Sequence, residues 1–300
     1  MKTALILGAG ASAALGYPCG KELIDRICRK LEWHPNSPRP QREQLIRLGF
    51  QEDQINRFRE GLNFGNPETI DSFLEHNPDF ERLGKVCITL ELSSYENEDA
   101  FTREAIAIKE WYREFWDGLQ KNFSLISRRQ LSIITFNYDR SLEHFLFVAS
   151  HKSRSRDLHD DLAAWLNSDH FVHIHGRMGY LDWQQQPEAE TRKYVHDCTE
   201  QAIARSAHLI LLPHGSKGLD RKVESIMRGT ERVLFFGFGF DNRNLQKIGF
   251  DRFSEFGVSG VAATMKNVPH DTIGNITRIC PMDICPSISH CLKQSGFPNW

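Results

Sequence analysis

The sequence has no paired Cys-x-x-Cys motif and no excess of charge of either sign. Its seven cysteines are scattered and odd in number, which is typical of reduced thiols. Because Cys280, Cys285 and Cys291 are irregularly spaced among prolines, they favour a loop over a metal site, and we predict no bound metal. The 37 Lys plus Arg residues balance 39 Asp plus Glu, and the formal net charge of -2 does not favour direct nucleic-acid binding.

The sequence also lacks long apolar runs, and we expect no secretory leader. Met1 and Lys2 lead directly into a strand-like segment, and no apolar run is long enough to span a bilayer. We therefore expect a cytoplasmic protein without membrane association. With 40% hydrophobic residues, the 300-residue chain can bury a substantial core, and we expect a single domain over residues 1–300.

The sequence does contain short, almost wholly apolar runs, which are typical of parallel strands buried on both faces. These runs cover residues 4–7, 131–134, 171–174, 209–212 and 233–236. Helical periodicity at 21–31, 41–48 and 101–119 predicts a helical insertion over about residues 20–125, in which 61–67 forms a loop. Alternating strands and helices predict an α/β fold with a Rossmann-like, doubly wound parallel sheet. Such sheets bind ligands beyond the carboxyl ends of their strands.

A glycine-rich turn, Gly8-Ala9-Gly10-Ala11-Ser12, follows the first apolar run. Glycines at such a turn let backbone N–H groups approach a pyrophosphate, and the N-terminus of a following helix favours its negative charge. The pattern therefore points to a dinucleotide, although a plain tight turn is the alternative. Ser12 either caps the following helix or donates its hydroxyl to a phosphate.

The second apolar strand run is followed by a polar pair, Asn137 and Asp139. The two-residue repeat of extended chain places Thr135, Asn137 and Asp139 on one side, so an amide and a carboxylate point together toward the ligand edge of the sheet. The alternative is a local turn in which Asp139 caps a helix over residues 140–148.

Two histidines, His173 and His175, end the third run. Histidine titrates near neutral pH, so one beside a nucleotide is a candidate general base for a sugar hydroxyl. Spacing alone does not choose between them, and a buried, hydrogen-bonded histidine is the alternative interpretation of each. A His-x-His metal pair would need a third ligand, and none is evident.

In this order, the motifs resemble the Sir2 (sirtuin) superfamily, and especially its prokaryotic branch associated with antiphage defence. The resemblance covers residues 1–250. It rests on Gly8-Ala9-Gly10-Ala11-Ser12 with Gly16 and Pro18, on Thr135-Phe136-Asn137-Tyr138-Asp139, on His175-Gly176, on Phe236-Gly237-Phe238-Gly239-Phe240-Asp241 with Asn244, and on Thr69-Ile70-Asp71-Ser72-Phe73-Leu74-Glu75.

The resemblance implies a role for each of these segments. Asn137 holds a water or ribose hydroxyls, Asp139 recognises the nicotinamide carboxamide or supports its pocket, and His175, rather than His173, is the base. The remaining positions surround the NAD+: Gly8, Ala9, Gly10, Ala11 and Ser12 at the pyrophosphate, and Gly237, Gly239, Phe240 and Asp241 around the nucleotide.

The activity implied by the resemblance is hydrolysis of NAD+ to nicotinamide and ADP-ribose, with NAD+ as a consumed substrate. Sirtuin deacylases carry four zinc-binding cysteines in paired spacing, and this sequence has no such set, so water replaces the acyl group as acceptor. We expect a regulated NAD+-depleting effector of antiphage defence, acting by abortive infection. It would be restrained as a homo-oligomer or by a regulatory protein encoded nearby.

Other activities remain open from the residues. They are a protein deacylase, an ADP-ribosyltransferase and a non-catalytic NAD+ or ADP-ribose sensor. A dehydrogenase is least favoured, because Asp25, near the expected distance from the glycine turn, lies in a helical stretch rather than at the end of a strand.

Overall fold

The computed structural model of the chain describes residues 1–32, 40–101, 110–153, 156–184, 186–197, 199–208, 210, 219–266 and 268–299. The chain forms two compact units. Unit 1 comprises Met1–Leu15, Asp99–Ile174 and Ser216–Trp300, and unit 2 comprises Gly16–Glu98 and His175–Gly215. Among the described residues, no helix is long and apolar enough to cross a membrane.

Unit 1 is built on a parallel sheet. The strands of the described chain are β1 (Thr3–Leu7), β2 (Leu131–Thr135), β3 (Phe171–His173), β4 (Tyr180–Leu181), β5 (Thr191–Arg192), β6 (Arg232–Phe236), β7 (Gly260–Thr264) and β8 (Asp283–Cys285). Six of them form the sheet in the order β3-β2-β1-β6-β7-β8, and every neighbouring pair is parallel. This is the strand order of the Rossmann fold, so the predicted fold class is confirmed.

Helices flank this sheet and connect its strands, as parallel crossovers require. Among its described residues, unit 1 contains the α-helices Glu110–Lys121, Ser124–Ser127, Ser141–His151, Arg156–Leu166, Arg221–Met227, Asn242–Lys247, Phe253–Phe256, His270–Ile279 and Ile288–Gln294. One large apolar cluster packs around Phe235 of β6, whose ring contacts those of Phe238, Phe240 and Phe250. The core therefore reaches the carboxyl end of β6.

Four of the five predicted strands are confirmed as β1, β2, β3 and β6. The fifth, at 209–212, lies outside the described residues except for Ile210, which makes an isolated antiparallel bridge with Gly176. Two further strands, β7 and β8, were not predicted from the sequence. The first relies on small alanines for its apolar face, and the second has three residues, of which only Cys285 is buried. Neither has the short run of large apolar residues that marks the central strands.

Unit 2 is mainly helical. Its α-helices are Gly20–Leu31, Pro40–Arg47, Glu52–Gly65, Ile70–His76, Glu81–Ser93 and Glu200–His208, and β4 pairs with β5. The helical periods at 21–31 and 41–48 are thus confirmed. Residues 102–109 of the 101–119 stretch lie outside the described residues, and the remainder belongs to the helix Glu110–Lys121 of unit 1.

The predicted loop at 61–67 is wrong for residues 61–65, which complete the helix Glu52–Gly65. Gly61 lies inside this helix, where a Cβ would lie only 2.8 Å from the Phe73 ring. The glycine lets the helix backbone approach that ring closely, and the packing outweighs its unfavourable helix propensity.

Candidate functional site

The turns that follow β1 and β6 pack backbone against backbone. The Gly8 N–H donates to the Phe236 carbonyl and the Gly10 N–H donates to the Gly237 carbonyl, each over 3.0 Å. A Cβ on Gly8 would lie 2.6 Å from the Gly237 oxygen, and one on Gly10 would lie 2.7 Å from the Gly237 Cα. The glycines predicted from sequence are therefore required for the contact between these turns, at the point where the strand order reverses.

The glycine turn uses several of its own N–H groups within the chain. The Ala11 N–H donates to the Gly8 carbonyl over 2.9 Å and the Ser12 N–H donates to the Ala9 carbonyl over 3.1 Å. The turn itself contains a 3-10 turn at Ala9–Ala11, a second follows at Ala13–Leu15, and the first α-helix begins only at Gly20. The α-helix expected directly after the glycines is thus not found there. Trp111 also stabilises the turn, because its indole N–H donates to the Ala11 carbonyl over 3.1 Å.

Asn137, just beyond β2, is held on three sides. Its backbone N–H donates to the Thr135 hydroxyl over 3.1 Å, while its side-chain amide donates to the Gly8 carbonyl at 3.0 Å and to the Ser12 hydroxyl at 3.2 Å. Since the Gly8 carbonyl can only accept, the amide nitrogen must face it. The amide oxygen is left buried without a hydrogen-bond partner among the described residues.

Asp139 is a buried carboxylate in the same part of unit 1. Its side chain accepts from the N–H of Ser141 over 3.1 Å and from the Ser141 hydroxyl, which also contacts the Tyr112 hydroxyl at 2.8 Å. Burial raises the pKa of the Asp139 carboxyl, while hydrogen bonds from Ser141 and Ser12 oppose this shift. Asp139 therefore accepts from the first residue of the helix Ser141–His151, whose N-cap is Arg140 rather than Asp139, and it also accepts from Ser12.

His173, at the end of β3, is enclosed on both ring nitrogens. Nδ1 lies 3.0 Å from the backbone oxygen of Asn137, and Nε2 lies 2.8 Å from Oε1 of Glu143. Glu143 was not predicted from the sequence, although its position in the first turn of the helix after Asp139 was the available signal. Both nitrogens of His173 are thus occupied by contacts within unit 1.

A small polar cavity lies among these residues, with room for about one water molecule. It is lined by the polar side chains of Ser12, Tyr112, Asn137, Asp139 and Glu143, together with neighbouring apolar groups. The cavity can hold a water rather than a nucleotide. Tyr112 was also missed from the sequence, and burial raises the pKa of its hydroxyl, which favours the neutral donor form.

His175 falls in unit 2, which the chain enters directly after Ile174. Its ring is buried, and Nδ1 lies 3.6 Å from Oδ1 of Asp71. Asp71 is in the helix Ile70–His76, which begins where the Thr69 hydroxyl accepts from the N–H of Ser72. The segment at 69–75, which contributes to the resemblance, thus forms most of a short helix, and this helix places a carboxylate beside the predicted base.

The residues that follow β6 have different structural roles. Gly237 has φ +58, and a Cβ there would meet the Ala11 nitrogen at 2.2 Å, so this position requires glycine. Gly239 is exposed, whereas the Phe240 ring lies in the core against Phe235. Asp241 caps the helix Asn242–Lys247 by accepting from two backbone N–H groups. The side chains of Phe240 and Asp241 thus have structural contacts.

The strand order and the glycine contact at the strand reversal define a Rossmann-like α/β protein. Comparison with known families adds that a model described as SIR2-like domain matches residues 131–272, slightly less than half of the chain. The match includes Asn137, Asp139, His175 and the segment after β6, and it supports a place in the Sir2-like superfamily, whose activity is NAD-related. No curated protein matches the chain.

Among the described residues, no group of three or more His, Cys, Asp or Glu side chains is arranged to hold a metal ion. Six of the seven cysteines are described, and they are free thiols, while Cys198 lies outside the described residues.

Proposed function

We propose that this chain hydrolyses NAD+ to nicotinamide and ADP-ribose. The observation that carries the proposal is the Asn137 side chain, whose amide nitrogen is fixed and whose amide oxygen is buried without a partner. A buried acceptor costs free energy unless a ligand or water satisfies it, so an unpaired oxygen at the carboxyl end of a Rossmann strand is expected to accept from an O–H donor. The SIR2-like match includes this residue.

The reaction breaks the bond between the ribose carbon and the nicotinamide nitrogen. The bonding electron pair leaves with the ring nitrogen, whose positive charge is neutralised, and the ribose becomes oxocarbenium-like. Water then bonds to that carbon and gives up one proton. In this scheme Asn137 accepts a hydrogen bond from the water or a ribose hydroxyl, and His175 acts as base. Each role is the one that the resemblance implies for the sequence motif containing that residue.

Water is the acceptor that best fits these residues. A polar cavity sized for about one water is lined by Asn137, Ser12 and Asp139. The sequence also lacks the paired cysteines that support the acyl-peptide groove of deacylases. Transfer of ADP-ribose to a protein would use the same bond cleavage with a different acceptor, so product analysis distinguishes it.

The test is release of nicotinamide and ADP-ribose from NAD+ by the purified chain, followed by chromatography. Asn137→Ala should lower the rate by about 10²- to 10³-fold, the loss typical of removing one preorganised hydrogen-bonding group from a reaction site. Asn63→Ala is the matched control, since Asn63 is exposed on the helix Glu52–Gly65 of unit 2.

Equal turnover by wild type and Asn137→Ala would contradict the proposal. Binding of NAD+ without any product, alone or with proteins encoded nearby, would instead support a sensor. Turnover of an acetyl-lysine peptide would support a deacylase.

The proposal extends to a cytoplasmic, NAD+-depleting effector of antiphage defence. Because such an activity harms its own cell, we propose that self-association or a regulatory partner restrains it. NAD+ measured in phage-infected cells that carry wild type or Asn137→Ala tests this role, and equal NAD+ loss in both would argue against it.

A further inference from the structure

His173 and Glu143 form a buried pair that contacts the backbone of Asn137. The exposed fractions of their side chains are 1% and 2%, and Nε2 of His173 lies 2.8 Å from Oε1 of Glu143. On the opposite side of the ring, Nδ1 lies 3.0 Å from the backbone oxygen of Asn137. The ring thus connects the first turn of the helix Ser141–His151 to the residue proposed to contact substrate.

The protonation of this pair follows from the groups that it contacts. A backbone carbonyl can only accept, so Nδ1 of His173 must carry a hydrogen and donate it to Asn137. The short contact between Nε2 and Glu143 then needs a second hydrogen, because an unprotonated nitrogen and a carboxylate would repel each other. The pair is therefore either imidazolium with carboxylate or imidazole with carboxylic acid, and it has no net charge in either form.

This arrangement sets the Nδ1–H form of the ring. If Glu143 did not engage Nε2, the neutral ring could carry its hydrogen there and present a bare Nδ1 to the Asn137 carbonyl. Asn137 would then lose the contact to its backbone oxygen, while Thr135, Gly8 and Ser12 would hold the rest of the residue. The direction of the unpaired amide oxygen depends on all of these contacts.

We propose that His173, held by Glu143, is a positioning residue that fixes Asn137 for the reaction. The catalytic consequence rests on the proposed NAD+ hydrolysis, whereas the positioning itself does not. His173 acts through the backbone of Asn137, since both of its ring nitrogens are already engaged inside unit 1.

Two substitutions at Glu143 separate positioning from simple packing. In Glu143→Gln the amide N–H can donate to Nε2, which keeps the Nδ1–H form, so kcat should stay within about threefold of wild type. Glu143→Leu fills a similar volume but cannot bond to Nε2. Glu143→Leu and His173→Phe, each made singly, should lower kcat by about 10- to 100-fold and leave KM nearly unchanged. His290→Phe, at an exposed histidine of unit 1, is the control.

A second readout needs no activity. Nitrogen-15 NMR of wild type should show the hydrogen of His173 on Nδ1, and hydrogen exchange of the Asn137 side-chain amide should be slow. His173→Phe should accelerate that exchange, and Glu143→Gln should not.

The two proposals fail differently. A wild type that never releases nicotinamide overturns the hydrolase proposal, and the NMR result still decides the positioning. If wild type is active and His173→Phe matches it, or if Nδ1 carries no hydrogen, the positioning role is wrong.

Discussion

At the residue scale, three glycines allow the two turns at the strand reversal to touch. Gly8, Gly10 and Gly237 approach so closely that a Cβ on any of them would overlap backbone atoms at 2.2 to 2.7 Å. Backbone cannot move aside as a flexible side chain can, so this contact tolerates no larger residue without rearrangement. The same turns fix the Gly8 carbonyl that orients the Asn137 amide.

Gly237→Ala tests this contact. The substitution combines an unfavourable positive φ with overlap against the Ala11 nitrogen, so we expect a loss of about 3 kcal/mol or more in the free energy of unfolding. Gly257→Ala is a close control, because Gly257 also has positive φ but open space around it, and it should lose only about 1 kcal/mol. Urea denaturation measures both, and equal losses would show that the close approach is unimportant.

At the element scale, helices place a carboxylate beside each of the two histidines, His173 and His175. The helix Ser141–His151 brings Glu143 to His173, and the helix Ile70–His76 brings Asp71 to within 3.6 Å of His175. A carboxylate beside a histidine base orients the ring and stabilises the imidazolium that forms when the base takes a proton.

Asp71→Asn tests that second helix. The amide keeps the shape of the side chain but removes its charge, so kcat for NAD+ hydrolysis should fall by about tenfold with little change in KM. Asp79→Asn, an exposed aspartate three residues beyond the helix, should leave kcat unchanged. An unaltered kcat in Asp71→Asn would mean that His175 does not depend on this carboxylate.

The elements also show what the sequence could predict. The apolar runs that became β1, β2 and β6 were recognisable because these strands are buried on both faces. The loop predicted at 61–67 was wrong for 61–65, since Gly61 packs against Phe73, a residue of another helix. The α-helix expected after the glycine turn was also wrong, because the turn packs on β6 and the chain first makes 3-10 turns.

At the scale of the whole molecule, buried ionisable groups couple folding to pH. Burial lowers the pKa of His144 from 6.5 to about 4, Arg140 adds to the shift, and Glu143 opposes it. A histidine that stays neutral in the folded state stabilises the protein above its unfolded pKa. That stability is lost as the pH falls from 6.5 toward about 4, because the unfolded chain takes up the proton first.

His144→Gln should therefore reduce the pH dependence of unfolding. Between about pH 7.5 and about pH 5, wild type should lose about 2 kcal/mol more than the variant. Urea unfolding at both values measures the difference, and His290→Gln, at an exposed site, should behave as wild type. Parallel losses in wild type and His144→Gln would mean that His144 is not the group responsible. The raised pKa of Asp139 has the opposite effect on the pH dependence of the free energy of unfolding, and this effect is the same in wild type and His144→Gln.

The sequence by itself determined the central strands, the glycine turn and the polar residues that follow the strands, because these depend on local patterning and on the direction of a parallel strand. It left His173 without a role and did not reveal Glu143 or the close approach of Gly237. Only the tertiary structure decided these points. The partners are far apart in the chain, and hydrogen-bond direction and backbone overlap exist only once the strands and helices are packed together.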